Sequence, residues 1–145
     1  TGVINRIFHG YGKFEGEMDG RKNGALISMA TGKAVAFAIF NLQARGEMFV
    51  THNDPVYEGM IVGLTPKPGD MIINVMKGKQ LTNMRTQGTD ENVVLTPVRQ
   101  MSIAEQLSML NTDEALEITP KSLRLRKAIL NPHDRKKNEK SATPL

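Results

Sequence analysis

The chain has 145 residues, 39% of them hydrophobic and 23% charged, which suits one domain with a fragment of another. It lacks cysteine, which excludes disulfides, thiolate nucleophiles and Cys-ligated zinc, and no apolar run approaches the roughly 20 residues that span a bilayer. The net charge of +4 is uneven: residues 1–120 hold 11 Lys+Arg against 13 Asp+Glu, whereas residues 121–145 hold 8 against 2.

Val3 to Phe8 is β-rich and reads as a strand, and a strand needs neighbours to pair with. Thr1 opens directly into it without a Met, so a piece of a longer protein is expected, with residues 1–12 closing a preceding α/β domain. Gly12, Gly16, Gly20 and Gly24 then mark residues 13–24 as a glycine-rich linker or loop. Ala25 to Met29 reads as a short strand. Val35, Ala38, Ile39 and Leu42 fall at i, i+3, i+4 and i+7, which predicts an amphipathic helix over Lys33 to Arg45, with Thr31 as cap and Gly46 at its end. Glu47 to His52, Gly59 to Leu64 and Met71 to Val75 read as strands, separated by turns at "NDP" and "TPKPGD".

A long polar loop follows. Lys77 to Asn92 carries Lys77, Lys79 and Arg85 with only two sizeable apolar side chains, Leu81 and Met84. Val93 to Leu95 resumes the sheet. Ser102 and Glu105 form an S-x-x-E capping box ahead of Leu107 and Leu110, and Ile103, Leu107 and Leu110 make the expected inward stripe. Ala115 to Ile118 and Ser122 to Arg126 are strands, the second alternating Leu123 and Leu125 on one face with Arg124 and Arg126 on the other. Residues 131–145 are polar and basic, and read as a flexible tail. The fold class is therefore α+β: a mostly antiparallel sheet of short strands, two amphipathic helices, a long polar loop and a basic C-terminal tail, with residues 25–130 as the main domain.

Catalysis finds little support. Gly32-Lys33 and Gly78-Lys79 both lack the upstream Gly and the following Ser or Thr of a phosphate-binding loop. His9, His52 and His133 share no ligand spacing, so no metal site is expected, and no Ser stands beside a His in a nucleophile elbow. Binding is the better reading. Lys77, Lys79 and Arg85 can hold phosphates, while Gln80, Thr82, Asn83, Thr86 and Gln87 can hydrogen-bond sugar, phosphate or base edges. Arg124, Arg126 and Lys127 form a second candidate patch. Arg135, Lys136, Lys137 and Lys140 are a weaker third, able as an arm to add non-specific attraction. Solvated surface is the competing reading for all three.

The stretches "RKNGALIS", "TGKAVAFAIFNLQARGEMF", "VYEGMIVG", "KGKQLTNMRTQGTDE" and "ALEITPKSLRLRK", in this order, resemble the C-terminal part of the BipA/TypA family of translational GTPases. The likeness runs from about Thr1 to Lys137. It implies a family-specific C-terminal domain without catalysis of its own. GTP and Mg would bind in an N-terminal domain of the parent chain. It further implies a cytoplasmic partner of the ribosome that reaches large-subunit rRNA and the acceptor end of A-site tRNA; a monomer is expected. Roles in ribosome assembly and stress adaptation come with the family. The family's RNA-contacting loop falls on about Thr65 to Asn92 here, so Lys77, Lys79, Asn83 and Arg85 inherit that contact. The chain departs from the family at Leu64 to Pro68, where one cation and two prolines replace a more charged segment. The rival expectation is a structural module that packs on the GTPase core and orients it.

Overall fold

The structure, a computed structural model, describes residues 5–14, 21–78 and 94–142. Its centre is a four-stranded sheet in the order β3-β5-β1-β6, formed by Glu47–Met48, Ile61–Leu64, Ala25–Ser28 and Met71–Ile73. β1 is buried at all four residues and lies between an antiparallel partner, β5, and a parallel one, β6. Residues shielded on both faces need no polar alternation, and "ALIS" and "IVGL" show none. A small pair, β2 (Gly32–Lys33) with β4 (Pro55–Val56), flanks this sheet. Among the described residues the sheets are thus antiparallel apart from β1 with β6, as expected of an α+β chain of short strands.

α1 (Ala36–Gln43) lays Ala38, Ile39 and Leu42 into the core with Leu26, Val62 and Val75. It begins three residues later than the apolar periodicity suggests, because Gly32 and Lys33 pair with Val56 and Pro55 in extended form. Thr31 does not cap it; its hydroxyl accepts from the Glu58 amide at 3.3 Å. Val35 is the capping residue without a side-chain bond, and His52 Nδ1 takes the Ala36 amide at 3.2 Å. One of the orphan donors of the helix start is thereby met from another part of the chain.

The capping box is present as expected. In α2 (Ile103–Ser108) the Ser102 hydroxyl accepts from the Glu105 amide, and the Glu105 carboxylate accepts from the Ser102 amide. Ser102→Ala is expected to cost about 1 kcal/mol, read as a lower urea midpoint with an unchanged slope. The inward stripe differs from expectation. Ile103 and Leu107 are about half exposed, at 48% and 53%, and Gln106 is the buried residue. Its Nε2 donates to the Met101 carbonyl at 3.2 Å. Six residues make too short a helix to commit a full stripe: of the expected three only Leu110 packs on the core, joined by Met101 ahead of the helix.

β7 (Glu114–Ile118) and β8 (Leu123–Lys127) form a hairpin in register Glu117↔Arg124 and Leu116↔Leu125. Leu125 joins Ala25, Ile27 and Ile61 in a second apolar cluster. A bridge between Met60 and Arg126 and the bond from Lys127 N to Gly59 O, 2.9 Å, join hairpin to sheet.

Three expectations need correcting. Asn5 to Phe8 are in no strand, and residues 1–4 lie outside the described ones. Val94 and Leu95 are not in a strand either, though Leu95 packs on the core. The segment read as a flexible tail contains α3, an eleven-residue helix from Pro132 to Ala142. Asn131 Oδ1 accepts from the His133 and Asp134 amides, Pro132 occupies the first turn, and Asp134 sits where the helix dipole favours an acid. Composition alone hides these start signals.

Candidate nucleic-acid interface

The described chain ahead of the cationic stretch is firmly held. Val75 is fully buried and its carbonyl accepts from the Val35 amide at 2.9 Å. Asn74 Oδ1 accepts from the Met76 amide, closing a tight turn, and Met76 packs on the core. Lys77 emerges exposed directly after it. With Asn41 of α1, Arg45 just past its end, and Ile72 and Asn74, it borders an open cleft of about 530 Å³. Lys79, Gln80, Thr82, Asn83, Arg85, Thr86 and Gln87 lie outside the described residues. Arg45 is an addition that sequence reasoning missed. It stands 32 positions before Lys77, and only the packing of α1 beside β6 brings the two cations to one cleft.

The second candidate patch divides. Arg124 and Arg126 lie half-buried on the outer face of β8. Arg124 stands 3.9 Å from Glu117, its cross-strand partner. Arg126 Nη1 donates to the Lys127 carbonyl at 3.3 Å and has no carboxylate partner among the described residues. Tyr57 donates to Glu117 Oε2 at 2.5 Å. Burial, then the hydrogen bond and charge of Glu117, push the phenol up to about 12, against the pull of Arg126 and Arg124. Tyr57 is therefore a proton donor at any physiological pH and holds Glu117 beside Arg124. Arg124 also borders a larger cleft of about 790 Å³ with Arg99, Lys121 and Thr119. Lys77 borders neither this cleft nor the arginine face.

Lys127 must be removed from the patch. It is 1% exposed, and its ammonium meets Asp70 at 2.5 Å, Asp113 at 2.7 Å and Glu114 at 3.1 Å. Glu114 in turn takes Arg21 at 2.7 Å. Strand alternation explains the placement: Lys127 shares the inward face of Leu123 and Leu125, and only Arg124 and Arg126 face out. Burial alone would lower the Lys127 pKa, but hydrogen bonds to Asp113 and Asp70 and the nearby carboxylate charges leave it raised. Burial likewise pushes Asp70 up, and the Lys127 bond, the Ala25 amide and the charges of Lys127 and Arg21 bring it below its usual range. Such an ammonium has no capacity left for a phosphate.

No group of acids and histidines among the described residues could hold a metal ion, and no described helix is long and apolar enough to cross a membrane. A family model described as the TypA/BipA C-terminal domain matches residues 23–132. A protein called large ribosomal subunit assembly factor BipA in Buchnera aphidicola is 48% identical over 146 residues, taking in 100% of this chain and 24% of its own. The proteins of the same name in Salmonella typhimurium and Haemophilus influenzae are 46% and 42% identical, across 94% and 99% of this chain. The chain spans about a quarter of the length of these curated relatives.

Proposed function

Because this chain belongs to the TypA/BipA C-terminal domain family, we propose that it is the ribosome-docking, RNA-contacting end of a translational GTPase that serves large-subunit assembly. In this reading the stretch Lys77 to Gln87 reaches large-subunit rRNA near the A site and the tRNA acceptor end. The parent's own N-terminal domain binds GTP and Mg, and the work belongs to the cytoplasm and to growth under stress. The observation that carries it is the anchorage ahead of that stretch. A buried, hydrogen-bonded Val75 anchors the chain two residues before Lys77, and Arg45 adds a further cation at the cleft that Lys77 borders. Phosphate contacts fix register and orientation, and cations that follow an anchored residue suit that task.

The test compares the chain with a variant carrying Lys77→Ala, Lys79→Ala and Arg85→Ala, binding to isolated large ribosomal subunits across a salt series. The variant is expected to bind more weakly, and its log-log salt slope to flatten by roughly 0.7–0.9 for each phosphate it no longer neutralises. Equal affinity and equal slope would remove the loop from the interface.

A second reading is favoured by the N-terminal segment. Ile7, Phe8, Tyr11 and Phe14 are 78% to 100% exposed. Large apolar side chains left in water mark surfaces that other parts of a protein cover. A role in orienting the GTPase core through this segment is compatible with RNA contact elsewhere, and truncation at Phe14 separates the two.

A further inference from the structure

The lysines of α3 are not spread around the helix. His133, Lys136, Lys137 and Lys140 fall at i, i+3, i+4 and i+7, which places them on one face within about 100° of arc. All four are exposed. The opposite face is the docked one. Arg135, Asn138 and Glu139 line a small pocket of about 250 Å³ with Thr112, Asp113 and Ile129. Arg135 Nη1 donates to the carbonyls of Ile129 at 3.0 Å and Leu130 at 2.6 Å, and Leu130 itself lies against Gly59. One cation is thus turned inward, tying the helix to the segment that leads into it, and the others are displayed as a stripe about 10 Å long. Glu139 lies on the docked face and Asp134 at the first turn, so neither acid interrupts the stripe.

We infer that the His133, Lys136, Lys137 and Lys140 face of α3 is a second RNA-backbone contact, separate from the 77–87 stretch. This rests on the ribosome-docking reading above and adds a surface to it. The chemistry is that of a phosphate chain. The three ammonium groups act as flexible point charges without a planar fork, and no Phe, Tyr or Trp lies on the face for stacking. They therefore add affinity and salt dependence without reading sequence. Only the helical register creates the surface; a chain without fixed structure here would present the same charges with no common direction.

The experiment uses the 145-residue chain and a variant with Lys136→Gln, Lys137→Gln and Lys140→Gln, which keeps helix propensity while removing charge. The matching Lys→Arg variant is the control for charge. Binding to intact large subunits and to protein-free large-subunit RNA is followed across a salt series, and circular dichroism checks that helix content is unchanged. The Gln variant is expected to bind about tenfold more weakly near 0.1 M salt, with a slope flatter by ~2, on both targets, and the Arg variant to bind like the parent chain. Combined with the loop substitutions, the effects should add, since the surfaces share no side chain. If the loop variant alone loses affinity, α3 does not touch the RNA and the loop reading stands. If the α3 variant alone does so, the loop reading falls and this one stands. Weaker binding to intact subunits but not to naked RNA assigns the face to a ribosomal protein and overturns the proposal.

Discussion

Lys127→Met is expected to lower folding stability by about 3 kcal/mol, seen as a fall in the urea midpoint, whereas Arg126→Met on the same strand stays within about 1 kcal/mol. The asymmetry comes from what each residue leaves behind. Lys127 serves Asp70, Asp113 and Glu114 at once, and the Glu114 side chain is 1% exposed. Removing the ammonium strands carboxylate charge in a site where water is scarce. The cost sits at the low end for broken buried pairs, because the Asp113 side chain is 58% exposed and Glu114 keeps Arg21. The pH profile follows from the shifts. Asp70, lowered from 3.8, adds stability above that value and loses it as pH falls through its folded pKa. Lys127, raised from 10.5, adds stability in full below that value and loses it as pH rises through its folded pKa. The gap between parent and variant should therefore be widest between about pH 5 and pH 10 and narrow on both sides. Equal costs for Lys127→Met and Arg126→Met would refute the buried network as a stabilising element.

Gly59→Ala should cost about 3 kcal/mol, and Gly69→Ala only about 1 kcal/mol. Both glycines have positive φ, 83° and 88°, so both substitutions place an L side chain in left-handed backbone. They differ in surroundings. A Cβ at Gly69 meets nothing within 4 Å, whereas one at Gly59 would lie 2.7 Å from Leu130 Cα and 2.8 Å from its carbonyl oxygen. The neighbour is backbone and cannot rotate aside. Leu130 also precedes the Asn131 cap and receives Arg135, so α3 should shift with it. The Gly59 variant is thus expected to lose part of the salt-dependent RNA binding proposed for α3, and the Gly69 variant to keep it. Equal destabilisation of the two would mean that the Gly59–Leu130 contact relaxes freely.

What a sequence shows in advance follows the range of the forces involved. The α2 capping box needs two residues three apart, and Ser102 and Glu105 suffice. The buried face of α1 needs one periodicity, and Ala38, Ile39 and Leu42 carry it. Where α1 begins depends on Pro55 and Val56 drawing Gly32 and Lys33 into a strand, and no window around Thr31 contains that fact. Lys127 is legible too, because the alternation that turns Arg124 and Arg126 outward also turns Lys127 inward; grouping the three by charge hides it. α3 defeats compositional reasoning because it carries no apolar stripe; its inward-turned Arg135 bonds the carbonyls of Ile129 and Leu130, just before the helix. For the candidate site, the cationic residues are evident in the sequence, but the nearness of Arg45 to Lys77 requires the tertiary fold.

The central strand has a consequence for how the chain emerges from the ribosome that makes it. Ala25–Ser28 is synthesised well before either of its partners, Ile61–Leu64 and Met71–Ile73. At ~5–20 residues per second, some seconds pass before the first of them exists. Through that interval an unpaired, largely apolar strand waits near the tunnel exit with no local hairpin to shelter it. Its ladders are all long-range, which places this domain among slower folders of its size and makes nascent-chain protection most valuable before Ile73 is out.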